Sequence, residues 1–424
     1  MPNTPELLLT SLFIVAFALS LGGRLWLTRR QIRHVRRHRD QVPAAFVERI
    51  PLASHQKAAD YTVDRSRCTF FAIIVDAALL LALTLGGGLV RLDAFWQQHL
   101  TGLTAGAALI ISVLLLSAVL DLPLAWYRQF VIEARHGFNR MTPALFLADL
   151  SRQWLLSLAL GLPLLLAVLW LMQAMGSHWW LWVWAFWSAF NLLLLFIYPT
   201  WIAPLFNRFT PLPDGEMKTR IEALLARCGF HARGLFVMDG SKRSSHGNAY
   251  FTGFGRNKRI VFFDTLLERL TPTEVEAVLA HELGHFRLRH VQKRLILMFA
   301  TSLAFLWLLG QLIDAPWFYA GLGAPLAGEP PHTALALTLF FLVLPVFLFP
   351  LTPLTSGLSR RDEFAADAYA AQQASAADLE QALVRLYQDN AATLTPDPMH
   401  SLFHDSHPGA GERIARLRAL ARPA

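Results

Sequence analysis

The sequence predicts a predominantly α-helical, polytopic membrane protein with seven transmembrane helices. Three observations carry that expectation. Of 424 residues, 54% are hydrophobic and only 16% are charged, against about 25% charged in soluble domains. The mean hydropathy is +0.39. Seven apolar stretches reach the roughly 20 residues that cross a bilayer core as a helix. Such a chain lacks the polar groups to cover a water-soluble globule, and it is too apolar for disorder.

In chain order the expected spans are Leu7–Leu27, Phe70–Val90, Leu103–Trp126, Trp154–Met175, Trp179–Tyr198, Leu295–Ile313 and Thr333–Leu354. The first reads as a retained anchor, because no Lys or Arg precedes it and the basic cluster follows it. Arg29, Arg30, Arg33, Arg36, Arg37 and Arg39 follow the first span, and Arg128, Arg135, Arg140 and Arg152 follow the third. The connection 314–332 has no Lys or Arg. By the positive-inside rule the N-terminus lies outside and the C-terminus in the cytoplasm, together with the polar stretches Trp201–Lys293 and Thr355–Ala424. The net charge of +8 is thereby assigned to membrane lipid headgroups, not to a nucleic-acid partner. The expected division is a five-helix membrane domain over 1–200, then a domain over 201–424 that contains the last two spans.

Cys68 and Cys228 are the only cysteines, which excludes a disulfide scaffold and a thiolate metal site. Asp76, Asp121 and Asn191 fall inside spans. Each has a local structural partner as its plain reading, and together they favour a wet interior. Pro345, Pro350 and Pro353 are expected to kink or end the last span. No internal repeat supports a transporter built on inverted halves.

The chemistry centres on residues 271–290. Thr271 and Glu274 have capping-box spacing and Pro272 suits the first helical position, so a helix begins here. It carries His281-Glu282-Leu283-Gly284-His285. Histidines four apart stack on one helix face and can grip one zinc ion. Glu282 lies about 100° round the helix, placed to take a proton from a zinc-bound water without ligating the metal. A catalytic zinc wants a third protein ligand and an open position. Just past the last span, Glu363 and Asp367 share a helix face at i, i+4. Glu363 suits the ligand role and Asp367 the support of a ligating histidine, although spacing alone leaves Asp362 and Asp367 as alternative ligands.

Leu235–Met238 and Arg259–Phe263 read as strands, and Asn248–Gly253 leads to the turn-like Gly255-Arg256-Asn257-Lys258. A strand edge beside a zinc could hold a substrate as an added strand; ordinary sheet packing would give the same sequence. Late in the chain, His407 and Arg413 are positive groups able to stabilise an oxyanion.

At these residues the chain resembles the membrane-embedded zinc metallopeptidases of the Ste24 type, the CAAX prenyl protease 1 family. The resemblance covers nearly the whole chain. It rests on His136-Gly137-Phe138-Asn139, Tyr198-Pro199 through Asn207, Ser245-His246-Gly247-Asn248-Ala249-Tyr250-Phe251 and Asn257 to Val261. His281–His285, Ser359-Arg360 with Glu363 and Asp367, and His407-Pro408 with Glu412-Arg413 complete it. It implies seven helices around an intramembrane chamber, with a cytoplasmic zincin-like α+β metallopeptidase domain. One Zn2+ per chain would be held by His281, His285 and Glu363, with Glu282 as the catalytic carboxylate. Asp367 would adjoin the ligands as a proton donor. Asn248, Ala249 and Tyr250 would line the substrate strand, and His407 and Arg413 would stand beside the scissile carbonyl.

The implied substrate is a peptide or protein, lipidated in the family's eukaryotic members, which cut after a prenylated cysteine and remove three residues. Gly247 and Gly255, the arginine-rich composition and the ending Arg422-Pro423-Ala424 without a dilysine signal fit a bacterial inner-membrane relative. The alternatives are an HtpX-like quality-control peptidase, which would have fewer spans, and a transporter or scaffold with a closed structural metal site.

Overall fold

The computed structural model describes residues 4–421 except 231, 233, 253–258 and 327–331. The expected turn at 255–258 and the end of the expected strand edge at Gly253 lie outside the described residues. Seven helices are long and apolar enough to cross a membrane. They begin with α1 (Pro5–Arg37) and α2 (Leu52–Leu83). After the short α3 (Gly88–His99) come α4 (Gly102–Tyr127), α5 (Pro143–Ala174) and α6 (Trp179–Ile197). The small domain then contributes β1 (Phe209–Pro211), α7 (Glu216–Arg227), β2 (Gly234–Met238), β3 (Ala249–Thr252), β4 (Arg259–Phe263), α8 (Asp264–Leu267) and α9 (Pro272–Arg287). The bundle resumes with α10 (His290–Leu312), α11 (Pro316–Gly321) and α12 (Thr333–Leu348), and the chain closes with α13 (Thr352–Gln373), α14 (Ala376–Asp389), α15 (Pro398–His404) and α16 (Ala410–Leu420).

The expected second span needs correction. It runs to Val90, but α2 stops at Leu83 and the chain turns through Gly87 at φ +69° before α3. Three consecutive glycines, Gly86 to Gly88, carry that break, and apolar residues on both sides hide it from a hydropathy reading. The helix starts instead at Leu52, eighteen residues before the apolar run.

The last span lies at the centre. Half of its most apolar window is buried, against at most 28% for the other six. Pro345 sits inside α12, Pro350 in the 3-10 turn 349–351, and Pro353 in the first turn of α13. The prolines thus end the apolar rod and feed the chain directly into α13.

Asn191 bonds its own helix, donating to Trp187 O at 2.8 Å. Asp76 lines a cavity of about 1040 Å3 that opens between the bundle and the small domain, and Asp121 lies within its electrostatic reach.

The sheet has the order β1-β2-β4-β3, with β2 parallel to β4 and both outer pairs antiparallel. β2 and β4 match the expected strands, while β1, three residues ending in Pro211, carries no alternation to reveal it. The sheet and α7, α9, α14 and α16 share one core, including Ile260, Phe262, Val275, Leu279 and Ile414. Phe46 and Ile50, from the connection between α1 and α2, are buried in that same core. The first two helices are therefore joined to the small domain by packing as well as by the chain.

Candidate active site

Helix α9 begins as its sequence requires. Thr271 Oγ1 accepts from the Glu274 N–H and Glu274 Oε2 accepts from the Thr271 N–H at 2.8 Å, a complete capping box. Helix α13 crosses α9 closely enough that a methyl on Gly284 would lie 3.0 Å from Ala366 Cα. That approach brings Glu363 onto the two histidines. His281 Nε2 and His285 Nε2 are 3.3 Å apart. Glu363 Oε2 lies 3.5 Å from the first and Oε1 3.3 Å from the second. One atom from each residue falls within 4.8 Å of the others, and this is the one such group among the described residues.

The surrounding groups orient this trio. His281 Nδ1 lies 2.8 Å from Asp367 Oδ1. Arg413 grips Asp367 with two bonds, Nε to Oδ2 at 2.9 Å and Nη2 to Oδ1 at 2.6 Å. His407 Nδ1 lies 2.7 Å from Glu363 Oε2, with its side chain 64% exposed. Arg413, by contrast, is buried and its nearest approach to Glu363 is 3.9 Å. His407 thus lies on the exposed side of Glu363, while Arg413 stands behind the trio and spends two donors on Asp367. Asp362 points elsewhere, toward His290 Nε2 at 3.4 Å and Arg294 Nη2 at 3.3 Å.

His290 escaped the sequence reading. Its Nδ1 lies 3.0 Å from His285 Nδ1, so it orients the second imidazole as Asp367 orients the first. The chain reaches it through Arg289 at φ +60°, a sharp turn that no helical period reveals.

The donor set fits a divalent metal. Two imidazoles and a carboxylate converge, and each imidazole has an oriented partner on its other nitrogen. Burial lowers the His281 pKa, but hydrogen bonding to Asp367 and Glu363 outweighs it and leaves the ring at about 9. Glu282, next along α9, lines a cleft of about 670 Å3 with His285, Glu363, His407 and Tyr250. Burial pushes its carboxyl above the ordinary carboxylate range, which suits a general base.

β3 borders this cleft as an edge strand. The Phe263 N–H bonds Asn248 O at 3.0 Å, which fixes the ladder's parity. Ala249 and Phe251 therefore turn their backbone polar groups away from β4. Asn248 Oδ1 accepts from the Ala249 N–H at 2.8 Å. Tyr250 and Phe251 both line the cleft.

Residues 31–208 match the family described as CAAX prenyl protease N-terminal, five membrane helices, and residues 211–421 match peptidase family M48. The CAAX prenyl protease 1 homolog of Arabidopsis thaliana is 36% identical over 400 residues, covering 89% of this chain and 90% of that protein. The chain belongs to peptidase family M48. The human CAAX prenyl protease 1 homolog is 32% identical, with 93% of each chain covered. The CAAX prenyl protease 1 of Saccharomyces cerevisiae is also 32% identical, over 98% of this chain and 96% of that one. The crystal structure of S. mikatae Ste24p superposes with a TM-score of 0.88 at 29% identity, covering 98% and 99% of the two chains. This M48 peptidase is thus an integral, multi-pass membrane metalloendopeptidase that acts on peptide or protein. The peptidase reading is preferred to a transporter or scaffold.

Proposed function

We propose that this M48 peptidase holds one Zn2+ per chain on His281, His285 and Glu363 and cuts CAAX-type substrates after a prenylated cysteine. One observation carries the proposal: two imidazoles and a carboxylate converge beside a half-buried glutamate and the outer strand of the sheet. The relatives' names supply the substrate class. When bound, zinc supplies Lewis acidity, polarising a carbonyl and bringing the pKa of water down toward about 7.

The chain's own residues do the rest. A peptide pairs with the outward carbonyl of Ala249 and the outward N–H and carbonyl of Phe251, beside Asn248 and Tyr250. Glu282 takes a proton from the attacking water and returns it to the leaving amine. His407, exposed at the mouth, supports the oxyanion. Asp367 holds the His281 ring from behind the trio. Arg413 holds Asp367 in place and adds positive charge behind the carbonyl. The arginine-rich connections support an N-terminus outside, a catalytic domain in the cytoplasm and, with the composition, a bacterial inner membrane.

The test compares a farnesylated CAAX peptide with its unprenylated counterpart, using purified protein in detergent. Chelator-sensitive cleavage of the farnesylated peptide, favoured at least tenfold, is expected. Equal cleavage of both would remove the prenyl requirement, and cleavage unaffected by chelator would remove the metal.

A further inference from the structure

The segment 136–139 and the residues 244–247 that lead into β3 take no part in the chemistry above, yet they meet. The Ser245 N–H donates to Phe138 O at 3.2 Å, Asn139 bridges Ser244, and the His246 ring stacks on Phe138 with centroids 4.4 Å apart. Asn390, which follows α14, closes the contact from the other side. Its Oδ1 accepts from the Gly247 N–H at 3.2 Å and lies 3.2 Å from His246 Nδ1, while its Nδ2 donates to Gly247 O at 3.4 Å. His246 Nε2 lies 3.5 Å from Glu133 Oε2, and Tyr61 Oη donates to Glu133 Oε1 at 2.6 Å. Thr265 Oγ1 donates to His246 O at 2.9 Å.

The backbone is bent to place Asn390. Ala391 follows it at φ +45°, in the left-handed region that a side chain disfavours. Its methyl is nevertheless needed, because Ala391 is buried in one cluster with Tyr61, Ile132 and Phe138. Strain of this kind persists where surrounding packing over-determines it.

We infer that Asn390 and His246 are positioning residues that lock the substrate strand to the membrane bundle. This rests on the reading of β3 as the strand a peptide pairs with. Asn248 directly follows the braced segment and begins the ladder. A slip of one residue would reverse which backbone groups face outward, and Ala249 and Phe251 would then turn theirs toward β4. The brace prevents that slip from two sides, through Asn390 on the small domain and through Glu133 and Tyr61 on the bundle. Tyr61, His246 and Asn390 also line the 1040 Å3 cavity, so the chamber wall and the substrate edge are held as one body.

The test measures cleavage of a quenched-fluorescent farnesylated CAAX peptide by the full-length protein in detergent, with an N-methyl scan of the same peptide. Asn390→Leu is expected to raise KM about tenfold, the loss of one to two hydrogen bonds, with kcat within about threefold and metal content unchanged. Asn390→Asp keeps the acceptor for Gly247 and His246 and is expected to restore KM. Tyr61→Phe, which removes a single hydroxyl, is expected to raise KM by about two- to fivefold even if Asn390→Leu fails to fold. Wild-type KM in Asn390→Leu or Tyr61→Phe, or a loss confined to kcat, would overturn the brace while leaving the strand reading intact. Indifference of the wild-type protein to N-methylation at every position would sink the strand reading, and the brace with it.

Discussion

Gly284 and Ala366 meet where α9 crosses α13, so close that a methyl on Gly284 would stand 3.0 Å from Ala366 Cα and 3.2 Å from its carbonyl oxygen. The glycine inside the histidine motif is therefore a packing requirement. Gly284→Ala is expected to push the helices apart, costing about 1–3 kcal/mol, and to withdraw Glu363 from His281 and His285. Metal content by mass spectrometry and Tm in detergent should both fall. Full metal occupancy in that variant would contradict the geometry.

Glu282→Gln keeps the shape of the side chain and removes its basicity. Turnover is expected to fall by about 10^2- to 10^4-fold, the usual contribution of a positioned general base. Metal content should stay at the wild-type level, because Glu282 lies outside the trio of converging donors. Loss of the metal together with activity would make Glu282 a structural residue instead.

Arg413→Met leaves the buried Asp367 carboxylate without its bidentate partner. Removing one member of such a pair costs about 3–5 kcal/mol, read as a lower Tm. Arg413→Lys keeps the charge but cannot reproduce the two-pronged contact, so it should recover only part of the loss. The double variant Arg413→Met with Asp367→Leu should be more stable than Arg413→Met alone.

Asp397 supplies a pH prediction away from the metal. Burial raises its pKa, but the Arg30 hydrogen bonds and the His400 backbone N–H outweigh that and hold the carboxyl below its ordinary value. Its stabilisation is complete above the unfolded value of about 3.9 and is lost as pH falls through the folded one. Tm should therefore drop on acidification below about pH 4. Asp397→Asn should lower Tm at pH 7 by the equivalent of about 1–3 kcal/mol and flatten the acid limb. An unchanged acid limb would show that the contact between α1 and α15 contributes little.

Much of this was legible in the amino-acid order because it is periodic. The spans announce themselves by length, and α9 by its cap and by histidines one turn apart. Asp362, Glu363 and Asp367 could not be separated by spacing, because only the crossing angle of α13 on α9 decides which carboxylate meets the imidazoles. His290 was hidden by the left-handed turn at Arg289, and the early end of α2 by glycines set among apolar residues. Asn390 and Glu133 were invisible for another reason: polar contacts between residues more than 100 positions apart leave no local pattern.

The two halves of the converging trio arrive by different routes. His281 and His285 sit on a helix rooted in the core of the small domain, whereas Glu363 rides on α13, which leaves the central span through three prolines and reaches the same core through Ala370. Removing the hydrophobic rods would therefore free the end of α13 that lies about three turns before Glu363, while leaving its far end packed in the small domain.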